Sequence, residues 1–302
     1  MRLRIRRRWL VGLLGMATII VVVLGTLWRS AIRKNRSVPD EPFRVAGNLY
    51  YVGATGVTAF LLTGPEGDVL IDGGYPETAP LIIASITKLG FDIRDVKVLL
   101  NTHAHNDHAG GLRELQQASG AELWVSEGDA DVMAAGSNGA DPALGRLRVV
   151  GMLFGGFPPP RIDHQFKDGA TIRLGPLELT AHLTAGHTRG CTSWSFPVRD
   201  GDRELLAVDV CSLTLFPFVS LVDPEAYPGI RSDFERSFKT LRSLPADIFL
   251  ASHSDMFSMQ RKLRERVGAK DPVSPFIDRA GYLSYIDRSE RRFREALADQ
   301  QR

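Results

Sequence analysis

The sequence predicts an α+β fold, a sandwich of two β-sheets flanked by helices, preceded by an N-terminal apolar segment. Three observations carry this expectation. Short alternating strand-like runs fall in two sets, over residues 48–72 and 171–210, and helical segments follow each set. Histidines sit at turns in both halves, so the loops of two sheets could gather them at one edge. After the N-terminal segment roughly 260 residues remain, enough for one layered domain with a large core.

The chain begins with five arginines and no acid in residues 1–8, and residues 9–28 are twenty positions without a charge. That length and flank suit a membrane-spanning helix, so residues 1–28 are expected to be an uncleaved signal anchor that makes the membrane a partner. A cleaved signal peptide is the alternative; the apolar core exceeds the usual ~7–15 residues and lacks a clean small-x-small cleavage site. Arg6-Arg7-x-Trp-Leu faintly resembles a twin-arginine export signal. Residues 29–42, basic and then proline-containing, read as a linker able to lie against anionic headgroups, and residues 43–302 as the folded domain. Residues 1–36 hold eight Arg and one Lys without an acid, and removing those nine charges from the formal +2 leaves −7 for the rest. An acidic domain argues against a nucleic-acid partner, which asks for a basic groove.

Within the domain, strands are expected at 48–52, 58–63 and 68–72. A helix over 77–88, ended by Gly90, leads into an apolar strand at 96–100. The next residues read N-T-H-A-H-N-D-H-A-G-G and place His103, His105, Asp107 and His108 within six positions. A short loop leaving a strand end can aim such side chains at one point, and imidazole plus carboxylate is a donor mix that suits zinc. Further strands are expected at 171–174, 177–184, 193–198 and 205–210, and helices at 230–243 and 278–298. His187 follows the alternating strand 177–184, and His253 follows the apolar run 248–251. Five histidines and one aspartate exceed the four donors of a structural zinc. They divide into two three-donor sets with positions left open for water and substrate, which favours two Zn2+ per chain. His182, inside a strand, reads as a core histidine, and His164 as part of a polar loop. The stretch from Gly151 to Phe157 reads as an apolar, glycine-hinged loop that either covers substrate, packs on the domain or dips toward the membrane.

The strand end Leu70-Ile71-Asp72-Gly73-Gly74, the T-H-A-H-N-D-H-A-G-G loop, T-A-G-H-T-R-G-C-T-S-W, Cys211-Ser212-Leu213, A-S-H-S and F-I-D-R-A-G-Y-L-S-Y together resemble the metallo-β-lactamases of subclass B3 over residues 41–302. The resemblance implies a four-layer αββα arrangement. It implies one zinc on His103, His105 and His187 and a second on Asp107, His108 and His253. It further implies hydrolysis of the β-lactam amide of penicillins, cephalosporins and carbapenems by a metal-bound hydroxide, giving antibiotic resistance, and the N-terminal segment places this expectation on the periplasmic side. Asp107 would orient the nucleophile and shuttle its proton, and Ser212 and Thr214 would bind the substrate carboxylate. As isolated hydroxyls, those two could equally be strand-end residues satisfying the backbone. Asp72 would support the ligands from behind; alone it reads equally well as a turn former. Other hydrolases of this scaffold, acting on a lactone, thioester or phosphoester, are the alternative; such cousins usually carry a metal-bridging aspartate where this chain has Cys211 or Ser212. A noncatalytic zinc-binding module is a third reading, and six intact donors argue against it.

Cys191 and Cys211 are the only cysteines. A hairpin turning at Asp200-Gly201-Asp202, with its register symmetric about Gly201, sets them opposite one another, at a separation a disulfide can span. Two free thiols, or a Cys211 thiolate touching zinc, are the other possibilities.

Overall fold

The computed structural model describes residues 38–54, 56–222 and 224–302. The expected anchor and most of the linker lie outside these residues, and among the described residues no helix is long and apolar enough to cross a membrane.

The first half runs β1 (Phe43–Ala46), β2 (Leu49–Tyr51), β3 (Phe60–Leu62), β4 (Asp68–Ile71), α1 (Ala79–Lys88), β5 (Val96–Leu100), α2 (Asn106–Ala109), α3 (Leu112–Ser119), β6 (Glu122–Ser126), α4 (Ala130–Ala135), α5 (Arg148–Phe154) and β7 (His164–Phe166). Its strands form one sheet in chain order, antiparallel from β1 to β4 and parallel from β4 to β7. The second half runs β8 (Thr171–Leu174), β9 (Leu177–Leu183), β10 (Thr192–Asp200), β11 (Arg203–Val210), α6 (Ile230–Ser243), β12 (Ile248–Ala251), α7 (Met259–Arg266) and α8 (Arg279–Gln300). The second sheet has the order β12-β11-β10-β9-β8, antiparallel except for the parallel pair β11/β12.

Strand alternation builds the layers. Phe60, Leu62, Val69, Ile71, Val98 and Leu100 face the core shared with the second sheet, which receives Leu179, Ala181, Trp194 and Phe196. The intervening Leu61, Leu70 and Leu99 face a second core with Ile82 and Ile86 of α1 and Leu112 and Leu115 of α3. Both faces of the first sheet are therefore covered, as a partly parallel sheet requires. On the far side, α6 buries Ile230, Phe234, Phe238 and Leu241 at helical spacing, and α8 buries Tyr282, Tyr285, Ile286 and Phe293. Each fully buried side chain of this kind contributes about 1.5–3 kcal/mol. The result is an α+β sandwich of two sheets between helices.

The structure corrects some local expectations. Asp200 pairs with Arg203, so the hairpin turns through Gly201 and Asp202 alone, and every pair is displaced by one residue from a register symmetric about Gly201. Continued outward, that register leaves Cys191 and Cys211 just beyond the paired strands and diagonal to each other. They still form a disulfide, with Cα atoms 5.9 Å apart. The segment 151–157 is not one loop. Its first part belongs to α5, where Val149, Met152, Leu153 and Phe154 are exposed, while Phe157 is buried in the second core.

Candidate metal centre

The candidate centre lies at one edge of the sandwich, where β4, β5, β9 and β12 all end. Inter-sheet hydrogen bonds fix that edge: Thr192 N donates to Thr102 O (2.8 Å), Trp194 Nε1 to Asn101 O (3.3 Å), and Thr58 Oγ1 to Ala251 O (2.9 Å). The loop after β5 carries His103 and His105. His105 then adopts extended backbone as the N-terminal flank of α2, whose first turn presents Asp107 and His108. Part of the cluster is thus helical, and the change from loop to helix lets four close residues converge. His187 follows Gly186, whose φ of +137° favours glycine; a Cβ there would lie 2.8 Å from the Phe234 ring. His253 follows β12, where its backbone bridges to Val57.

The structure brings all six sequence-predicted donors together in two groups. The rings of His103, His105 and His187 form a triangle with centroids 4.9 Å apart on each side, and their ligand atoms lie within 4.8 Å of one another. In the other group His108 Nε2 is 3.2 Å from His253 Nε2 and 3.4 Å from Asp107 Oδ2, which is 3.5 Å from His253 Nε2. Donors about 2.0–2.1 Å from a tetrahedral metal lie about 3.3 Å apart, so this trio already has the spacing of a coordination shell. His103 stands between the groups, its ring 4.2 Å from that of His108.

The outward nitrogen of four histidines is occupied, which fixes the nitrogen left for a metal. His103 Nδ1 meets Thr102 Oγ1 (3.2 Å), His105 Nε2 meets Asp141 Oδ2 (2.8 Å), His108 Nδ1 meets Asp72 Oδ2 (3.0 Å), and His187 Nδ1 donates to Thr214 O (2.9 Å). Nε2 of His103, His108 and His187 and Nδ1 of His105 therefore remain for ligation. Asp72 is buried and also accepts from Asn101 Nδ2 (2.9 Å), Thr102 N (2.7 Å) and Thr102 Oγ1 (2.6 Å). Its φ of +64° shows that it does form the turn, yet its carboxylate is fully engaged by the metal loop.

Electrostatics prepare most of these groups. Burial and the neighbouring histidines lower the pKa of His103 well below the usual range, and burial with His105 lowers that of His187 to about 3. Burial and His108 lower that of His253 to about 4, so all three imidazoles are neutral near pH 7, as ligands must be. For His105, burial opposes the charge, but the Asp141 hydrogen bond prevails and raises its pKa. For His108, burial is likewise outweighed, here by Asp107 and Asp72, and its pKa is pushed up to about 10. Although burial opposes its ionisation, Asp107 is held ionised by His108 and the other histidines.

Two aspartates invisible as site residues in the sequence tie the loops together. Asp141 Oδ2 holds His105, while its Oδ1 accepts from Ala143 N (2.8 Å). Asp129 accepts from Ala104 N (2.9 Å), Thr188 Oγ1 (2.8 Å) and Gly190 N (2.8 Å), clamping the first histidine loop to the His187 loop. Burial and Asp141 push its pKa up to about 6. Gly190 packs so closely that a Cβ would lie 2.5 Å from Asp129 Cγ. Asp209, buried beneath this edge, has an Oδ1 without a hydrogen bond, and burial together with Asp72 pushes its pKa well above the carboxylate range.

Over the donors lies a cavity of about 290 Å³ whose walls include Tyr75, Asn106, Asn138, Leu144, Phe216 and Met256. Ser212 and Thr214 both line it. Ser212 Oγ accepts from Thr214 N (3.2 Å), so its own proton remains available to the cavity. The disulfide removes Cys211 as a thiolate ligand, although its Sγ lies 3.6 Å from His103 Nδ1. His182 and His164 lie elsewhere: the first meets Ser195 Oγ (2.7 Å), and the second, expected in a polar loop, instead opens β7, paired with Trp124 of β6, where its ring stacks on Trp124 and meets Glu122 (3.0 Å).

Residues 52–253 match the profile of the metallo-beta-lactamase superfamily. Among solved structures, the chain is 37% identical to the native FEZ-1 metallo-beta-lactamase from Legionella gormanii, with a TM-score of 0.82, covering 88% of this chain and 98% of that one. It is 33% identical to BJP-1, a subclass B3 metallo-beta-lactamase of Bradyrhizobium japonicum, with a TM-score of 0.78, covering 89% and 97%. Among curated proteins it is 32% identical over 139 residues to a hydroxyacylglutathione hydrolase of Jannaschia sp. (strain CCS1), covering 46% of this chain and 43% of that protein. It is also 30% identical over 204 residues to one of Rhodopseudomonas palustris (strain ATCC BAA-98 / CGA009), covering 68% and 60%. The chain thus spans about half the length of the curated relatives it matches.

Proposed function

This chain belongs to the metallo-beta-lactamase superfamily and is a hydrolase of it, and on that footing we propose that it is a zinc-dependent β-lactamase, exported to the periplasmic side and opening the β-lactam amide of small-molecule antibiotics. The observation that carries this reading is the wall of the cavity between the two donor groups. Where a lactone-, thioester- or phosphoester-cleaving cousin is expected to bring a bridging aspartate, this chain has Cys211, buried and disulfide-bonded behind the wall, and Ser212, which lines the cavity together with Thr214. The near-complete coverage of the solved β-lactamases supports the same reading.

The residues present fit two zinc ions, one on His103, His105 and His187 and one on Asp107, His108 and His253. When bound, they supply an acidified water and electrostatic stabilisation of charge developing on the scissile amide. The protein's own groups do the rest. Ser212 Oγ and Thr214 Oγ1 donate hydrogen bonds to the ring carboxylate and set the amide over the donor groups. Asp107, too weak a base to keep a proton, accepts a hydrogen bond from the attacking water and aims its lone pair at the carbonyl carbon. The new C–O bond forms, the C–N bond breaks, and the water's proton ends on the departing nitrogen. Asp72, Asp141 and Thr214 O hold His108, His105 and His187 in one orientation throughout.

Thioester hydrolysis is the second reading, favoured by the curated relatives named hydroxyacylglutathione hydrolase. Hydrolysis of a chromogenic cephalosporin and a carbapenem by the zinc-loaded protein, with a chelator control, tests the proposal. Chelator-sensitive turnover is expected; no turnover with two zinc ions bound would replace it with the second reading.

A further inference from the structure

Next to the metal cavity lies a larger one of about 500 Å³, and Thr214, Phe216 and Met256 belong to the walls of both. Phe216 stands at the junction: its ring centroid is 5.0 Å from that of His187 and 6.3 Å from that of His105. A molecule held over the histidines would extend along Phe216 into the larger space. The far wall there is α8, which presents Arg288, Ser289 and Arg292.

Arg288 and Arg292 are the two arginines of α8 that line this cavity. Several other charges of α8 do pair: Arg294 with Glu290, Asp299 with Arg302 just beyond the helix, and Asp287 and Glu290 both with Arg242. Among the described residues no carboxylate forms an ion pair with Arg288 or Arg292; Arg288 Nη1 donates only to Ser284 Oγ (2.7 Å), which steadies the guanidinium without neutralising it. Like charges one turn apart destabilise a helix, so the pair costs the fold something and returns nothing to it. Asp255, also in the cavity wall, is the one opposing charge there. Leu213, Leu215 and Ala296 add an apolar lining.

We propose that this cavity is a specificity subsite in which Arg288 and Arg292 receive a carboxylate at the far end of the substrate, on the group remote from the bond that breaks. This rests on the β-lactamase reading and sharpens it: the protein favours substrates with a second, side-chain carboxylate over otherwise identical ones without it. Guanidinium forks suit a carboxylate, and their exposure makes the preference salt-sensitive.

The test compares a penicillin bearing a side-chain carboxylate with the same penicillin lacking it, using zinc-loaded full-length protein. The ratio of their kcat/KM values should favour the charged compound and fall about tenfold in the double variant Arg288→Gln/Arg292→Gln. It should shrink in the wild type as ionic strength rises from about 0.05 to 0.5 M. Arg294→Gln, on another side of the helix, should leave the ratio in place. An unmoved ratio in the double variant overturns the subsite. If the wild type hydrolyses neither penicillin, the β-lactamase reading fails separately, and calorimetric binding of the two intact compounds decides the subsite. Tighter binding of the charged compound that disappears in the double variant supports it, and equal binding to both proteins overturns it.

Discussion

Replacing Asp72 with asparagine keeps the size of the side chain and changes which nitrogen of His108 can bind a metal. Asp72 accepts four hydrogen bonds, from Asn101 Nδ2, Thr102 N, Thr102 Oγ1 and His108 Nδ1. In Asp72→Asn the amide oxygen can keep the Asn101 and Thr102 backbone bonds, and the Thr102 hydroxyl can rotate to accept. The amide nitrogen then faces His108 Nδ1, and two donors cannot share that 3.0 Å contact. His108 must give up its Nδ1 proton and keep the one on Nε2, the atom that sits 3.2 Å from His253 Nε2 and 3.4 Å from Asp107 Oδ2. That tautomer cannot ligate. Loss of such an orienting partner weakens metal binding about 10- to 100-fold, or about 1.4–2.8 kcal/mol. The loss should fall on the Asp107–His108–His253 group, because the partners of His105 and His187 are untouched. Competition titration with a chromophoric chelator resolves the two affinities, and circular dichroism verifies the fold. A second-site affinity within twofold of the wild type, in a folded variant, would show that Asp72 does not set the His108 tautomer.

Three further outcomes follow from the same geometry. At pH 7, filling the Asp107–His108–His253 group should release about one proton, because His108 is protonated before binding and cannot be afterwards; calorimetry in buffers of different ionisation enthalpy reads that number, and zero would contradict it. The double variant Cys191→Ser/Cys211→Ser should lose about 3 kcal/mol of stability in urea unfolding, the entropy of a loop with sequence separation 20, and equal midpoints would show the bridge to be dispensable. For Asp209 the folded-state pKa lies well above the ordinary carboxylate value of about 3.9, so its contribution is fully present below about pH 4 and is lost as pH rises towards the folded-state value. In chelator-treated protein, Asp209→Asn should therefore gain in thermal midpoint over the wild type as pH is raised from about 4 to 8; a constant difference would contradict the buried, protonated carboxyl.

What could be read from the sequence was what is local. Five of the six donors' neighbourhoods announce themselves by histidines at strand ends, and the strands at 68–72 and 96–100 show in their apolar runs. Asp129 and Asp141 did not show, because each acts on a loop 25 or 36 residues away and reads in sequence as an ordinary turn residue. The hairpin register slipped because Asp200-Gly201-Asp202 fits a turn of two or three residues equally well, and only pairing with the rest of the sheet decides. Helix α7 was missed because it buries only Met259 and Lys262, so no apolar stripe marks it. The Lys262 ammonium is buried among Phe249, Phe257 and Phe276 and meets Asp278 (3.1 Å), a tertiary arrangement that hydropathy alone would place in solvent. The anchor expected at residues 1–28 lies outside the described residues.

On the β-lactamase reading, the cavity walled by Ser212 and Thr214 over two three-donor groups serves an amide in a strained ring rather than a thioester. The most direct measurement is kcat/KM of the same zinc-loaded preparation for a carbapenem and for a hydroxyacyl glutathione thioester, each with and without chelator. Chelator-sensitive opening of the carbapenem, with the higher kcat/KM, is the expected result. Rapid thioester hydrolysis with the carbapenem left intact would contradict it.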